Sequence, residues 1–131
     1  MTTRATGAFV IDTWDQQPYD EADGISLART RVTKTFRGEI EGTSTAELLM
    51  AVARNGSMAY VGFERITATI HGRAGSFVLH HNAVASVEGQ SASWTILPHS
   101  GTGALERLRG DATITIEPDG GHTFTLDYDL D

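Results

Sequence analysis

Cysteine is absent from the 131 residues of this chain. That removes disulfides, thiolate metal sites and thiol nucleophiles together, and it fits a reducing compartment. Proline occurs only three times, so little in the chain interrupts a regular backbone ladder. Basic residues are in the minority: ten Lys and Arg stand against 17 Asp and Glu, for a net charge of -7. No basic cluster offsets that balance, so a phosphate backbone would be repelled and nucleic acid is not expected as a partner. Long apolar runs are missing as well. Nothing approaches the ~20 apolar residues of a membrane helix, and the opening MTTRATGAF lacks the apolar run of a secretory signal. A soluble cytoplasmic protein with no membrane partner is the expectation.

What the chain has is alternation. Thr, Val and Ile recur in period-two runs separated by some of the 14 glycines, which points to strands joined by tight turns. Eight strands are expected, at about 6–14, 25–38, 41–53, 57–70, 75–87, 90–98, 111–117 and 122–130. The third, TSTAELLMAVA, also carries a helical stripe in Leu48, Leu49 and Val52; it reads as a strand because Asn55-Gly56, a strong hairpin signal, follows directly. Two segments read as irregular lids, the acidic DQQPYDEADG from Asp15 and PHSGTGALERLRG from Pro98, in which ALERLR suits one helical turn. Antiparallel strands without helices to cover them must pack face to face or close, because free edges invite aggregation. The expected fold is one all-β domain over residues 1–131, a closed eight-stranded antiparallel β-barrel.

Strand side chains point alternately to opposite faces, and the more apolar set is assigned to the interior. The last strand then buries Phe124, Leu126, Tyr128 and Leu130 and leaves Asp127 and Asp129 in water. Strand two places Lys34 on the face of Ala28, Val32 and Phe36. Strand four places Glu64 on the face of Met58, Tyr60, Ile66, Ala68 and Ile70, although Gly62 is a candidate bulge that would switch faces. Strand five splits its histidines, with His81 beside Phe77 and Leu79 and His80 outside.

Residues on opposite faces cannot converge on one ion, and His71, His99 and His122 show no ligand spacing with the pair, so no metal site is expected. The inward polar set is Lys34, Tyr60, Glu64, His81, Trp94 and Tyr128. An apolar wall carrying a few convergent polar groups is the signature of a small-molecule pocket. Glu64 and His81 are the candidate catalytic pair, and Lys34, Tyr60, Trp94 and Tyr128 the candidate ligand contacts. Each has a structural alternative: an interior Lys34–Glu64 ion pair, a hydrogen-bonded core histidine, and aromatics that simply fill a small barrel. The loop SGTGALERLRG lacks the Lys-Ser/Thr of a P-loop, and no G-x-S-x-G elbow occurs.

The stretches VTKTFRGEIEGTSTAELL, YVGFERITATIHGRAGSFVLHH, SWTILPHSGTGALERLRG and the closing TLDYDL span most of residues 6–130. In their order of strand, glycine turn and GTG loop, they resemble a bacterial family of small domains of unknown function grouped with the allene-oxide-cyclase-like barrels. The resemblance implies an eight-stranded barrel, often oligomeric; related barrels include cyclases that fix the conformation of a reactive apolar substrate. It places Lys34, Glu64 and His81 in the family's strand motifs and Trp94 just before its GTG loop. Three readings follow. The first is a cofactor-free barrel binding a small, largely apolar molecule. The second is a metal-free cyclase or isomerase for a lipid-like or polyketide-like substrate, with Glu64 as acid/base and His81 or Tyr60 as its hydrogen-bonding partner. The third is a filled barrel that assembles as a homo-oligomer through the apolar exterior of Ala59, Val61 and Phe63.

Overall fold

The computed structural model describes residues 2–130 and forms a closed antiparallel barrel in which every strand pairs with its sequence neighbours and β8 returns to β1. The strands are β1 (Thr3–Ala22), β2 (Ile25–Gly38), β3 (Ile40–Val52), β4 (Met58–Ile70), β5 (Arg73–Ser86), β6 (Gly89–Ile96), β7 (Arg109–Ile116) and β8 (His122–Asp129). Among the described residues no helix is long and apolar enough to cross a membrane.

The strand faces follow from the alternation. Phe124, Leu126 and Tyr128 are buried, while Asp127 lies outside and accepts from Arg4 at 2.7 Å. In β3 the side chains of Ile40, Ser44, Ala46 and Leu48 point inward as a period-two set. The helical stripe in TSTAELLMAVA therefore yields to ladders on both sides of it, with β2 and with β4.

Two expectations are corrected. DQQPYDEADG is not an irregular lid: β1 runs on to Ala22, pairs with β2 as far as Ile25, and turns at Asp23 and Gly24. Its register slips at Asp12 and again at Tyr19. The first bulge re-aims the chain, since without it Thr13 rather than Trp14 would lie opposite the inward Val32. The loop PHSGTGALERLRG is not a flexible lid either. It forms a 3-10 turn at Gly103–Leu105 and buries Leu105 and Leu108 in the main core. Ser100 and Thr102 tie it to β5, with the Thr102 amide donating to the Ser76 carbonyl at 2.8 Å.

These contacts make the two ends of the barrel unlike. The end holding the β4–β5 turn is plugged by Leu105 and Leu108, and there His71 Nδ1 meets the Tyr128 hydroxyl at 2.5 Å. At the other end β8 pairs with β1 only from Thr3 to Phe9, and β6 meets β7 at just two positions, Trp94–Ala112 and Thr95–Asp111. The upper part of β1 therefore continues past the barrel wall and leaves a mouth.

Gly62 is not a bulge. The ladders of β4 with β3 and with β5 pass through it unbroken. A side chain there would place Cβ 2.1 Å from the Glu47 carbonyl oxygen, so the residue is glycine because the β3 backbone presses against it. Tyr60 and Glu64, two residues either side, consequently share the inward face.

Candidate functional site

Three inward strand positions bring the site together at mid-barrel. Glu64 on β4 lies opposite Ala46 on β3 and Leu79 on β5, and no part of it reaches solvent. A carboxylate in such a place must be paired or protonated. It is paired on both oxygens: Oε1 accepts from Lys34 Nζ at 3.2 Å and from His81 Nε2 at 2.7 Å, and Oε2 accepts from Ser44 Oγ at 2.5 Å. Burial pushes the Glu64 carboxyl up, but the His81 hydrogen bond, the Lys34 charge, the charge that His81 carries when protonated and the Ser44 hydroxyl together outweigh it and lower it to about 2. Glu64 is a fixed anion over the whole neutral range.

That settles which face each group offers. Glu64 Oε1 as acceptor requires the His81 proton on Nε2, so in the neutral ring Nδ1 carries the lone pair. Nδ1 is buried and has no hydrogen-bond partner. An acceptor left in that state costs on the order of 1–3 kcal/mol. Lys34 spends one N–H on Glu64 and lies 4.6 Å above the Phe9 ring, a cation–π contact that helps hold an ammonium out of water.

Above these groups the mouth opens as a cavity of about 180 Å³. Phe9, Val32, Ala46, Leu48 and Ile114 give it an apolar wall, Ile11, Trp14 and Ile116 form its rim, and Lys34, His81 and Tyr60 supply polar groups. The Tyr60 ring lies 6.1 Å from that of His81. Burial pushes the Tyr60 hydroxyl up, the nearby Trp94 indole opposes this, and the Glu64 charge adds to it. The volume is below the roughly 300–1,000 Å³ typical of sites for drug-sized molecules and slightly above the roughly 150 Å³ of a dry cavity that admits benzene. It suits a molecule of about one ring.

Of the six residues expected at the site, Glu64, His81 and Lys34 come together in one hydrogen-bonded group, with Lys34, His81 and Tyr60 lining the cavity. Glu64 lies beneath, reached only through its partners. Trp94 is opposite His81 on β6 and packs against the core, with an indole nitrogen that makes no hydrogen bond of normal geometry. Tyr128 is at the plugged end, bonded to His71, and is not among the residues lining the cavity. His80 is outside, stacked on Phe63 at 5.3 Å. Among the described residues no three His, Asp or Glu side chains converge as a metal ion would need.

Several participants were not singled out from sequence. Ser44 carries no motif, but it occupies an inward position on a strand whose neighbours are apolar, which is the available signal. Trp14 could not be placed without the Asp12 bulge. His122, which stacks on Phe9 at 4.9 Å and lines the mouth, sits at a strand start where alternation is weakest.

A family model described as "Protein of unknown function (DUF3224)" matches residues 5–128. A crystal structure of a DUF3224-family protein of unknown function from Shewanella oneidensis MR-1 is 32% identical and superposes with a TM-score of 0.88, covering 100% of this chain and 99% of that one. No curated protein matches the chain.

Proposed function

We propose, starting from the fact that the chain belongs to the DUF3224 family, that its barrel binds a small, largely apolar molecule at the open end. The observation that carries this reading is the cavity of about 180 Å³, apolar in its walls and floored by Lys34 and His81, both anchored from below by the buried Glu64. A purely structural ion pair would be expected to sit in packed surroundings. Here the cation and the imidazole both border open space. The ring of a ligand would replace water against Val32, Ala46 and Leu48, and a single polar substituent would meet Lys34 Nζ or His81 Nδ1. The closed eight-stranded wall also supports grouping the family with the allene-oxide-cyclase-like barrels.

Phenol is a suitable probe, one ring with one hydroxyl. In a titration followed by amide NMR, the resonances of Ala46, Leu48, Tyr60 and His81 should shift together and saturate. Ile114→Trp, which fills the mouth from a half-buried position, should abolish the response. Shifts scattered over exterior residues, or none at these four, would remove the binding reading.

A second reading, self-assembly, is favoured by a separate observation. Leu49, Val61 and Phe63 are 51%, 46% and 55% exposed on the outer face of β3 and β4. They form a contiguous apolar surface of the kind that protein contacts cover.

A further inference from the structure

We propose, resting on the binding reading above, that the cavity also enolises small apolar ketones, with His81 Nδ1 taking a proton from the carbon next to the carbonyl and Lys34 holding the carbonyl oxygen. The roles differ from those the sequence suggests for the same residues. Glu64 cannot exchange protons with a ligand, because both its oxygens are occupied and it is not among the residues lining the cavity. It is a positioning residue. Its bond to Nε2 fixes the imidazole and offers a negative charge to the imidazolium that forms when Nδ1 is protonated.

His81 is 2% exposed, lines the cavity, and keeps Nδ1 without a partner. A buried imidazole with one nitrogen held by a carboxylate and the other bare has the arrangement of a general base. Lys34 lines the same cavity, shares the same Glu64 oxygen with His81, and still has an N–H to give after its bond to Glu64 and its contact with Phe9. Tyr60, half-buried with its ring 6.1 Å from that of His81, lines the cavity beside it.

The step balances without a cofactor. The C–H bond breaks, its electron pair becomes the C=C bond of the enolate, and the carbonyl π pair moves to oxygen facing Lys34. The proton resides on Nδ1. It returns to the same carbon, or to the far end of a conjugated enolate, and C=O re-forms. In the second case a β,γ-unsaturated ketone becomes its conjugated isomer.

Cyclohexanone in heavy water reads binding and proton abstraction from one sample. Its proton resonances should shift and broaden with the native protein and not with Ile114→Trp. Its α-protons should be lost to deuterium faster than in an equal concentration of free imidazole, by roughly hundredfold or more. His81→Gln should lose the excess exchange when compared with the native protein at equal cyclohexanone occupancy, read from the binding shifts. In His81→Ala, added imidazole should restore it. Glu64→Gln should slow exchange roughly tenfold or more at equal cyclohexanone occupancy, read from the binding shifts. Binding shifts with exchange no faster than free imidazole would overturn the catalytic proposal and leave the binding reading standing. Absence of shifts would overturn both. Should His81→Gln not fold, exchange that persists in Ile114→Trp would itself refute the assignment.

Discussion

Replacing Glu64 with glutamine removes a buried charge whose contribution to stability depends on pH in a calculable way. In the folded protein the carboxyl is lowered to about 2 from the ordinary 4.5. Its folded value lies below its unfolded value, so the folded state binds fewer protons in between. The stabilisation is therefore complete above pH 4.5 and is lost as the pH falls toward 2. At 1.36 kcal/mol per unit the depression corresponds to about 3 kcal/mol. Glu64→Gln should thus be about 3 kcal/mol less stable than the native chain near neutrality, in urea unfolding at constant ionic strength followed by far-UV circular dichroism. That gap should shrink below pH 4.5 and close near pH 2. The other carboxylates are shared by both proteins and cancel in the difference, which leaves Glu64 and the His81 imidazole coupled to it. Lys34→Met added to Glu64→Gln should recover part of the loss, because it removes the cation left with 8% side-chain exposure and no carboxylate. A gap that stays constant from neutrality down to pH 2, or no gap at all, would refute the assignment of Glu64 as a buried anion held by Lys34, His81 and Ser44.

Other sites give independent checks. Gly62→Ala should lower stability by roughly 1–3 kcal/mol in thermal or urea unfolding, since its Cβ would stand 2.1 Å from the Glu47 carbonyl oxygen; an unchanged midpoint would mean that β3 and β4 do not approach so closely. Phe63→Lys, on the exposed outer face, should leave monomer stability within about 0.5 kcal/mol and abolish self-association in light scattering, whereas an unaltered oligomer would exclude this face. His71→Asn keeps a residue tolerant of the left-handed backbone at φ 47 but removes the bond to Tyr128. It should cost on the order of 1 kcal/mol in urea unfolding, without altering the phenol response at the opposite end.

Much of the barrel was legible because period-two alternation is strong wherever one face is buried. β2 and β8 show it over their whole length, and Lys34 and Glu64 stood out as charges on apolar faces. Glu64 meets both Lys34 and His81, on a single oxygen. The extension of β1 was not legible, because Asp15 to Ala22 is exposed throughout and its pattern reports water on both sides rather than a strand. Trp14 was hidden by a bulge at Asp12, which shifts parity without a glycine to announce it. Tyr128 has the correct face but the wrong end; alternation fixes the side of a strand and says nothing about depth along the barrel axis. Which of Glu64 and His81 borders the cavity was likewise beyond the sequence, since alternation places both inward without fixing their depth.

The state of His81 is the point on which binding and chemistry both turn, and long-range proton–nitrogen NMR of the imidazole measures it directly. A proton should be found on Nε2, facing Glu64, and the Nδ1 resonance should move as phenol saturates the cavity. A proton on Nδ1 with Nε2 bare, or an Nδ1 resonance indifferent to saturating phenol, would contradict the account.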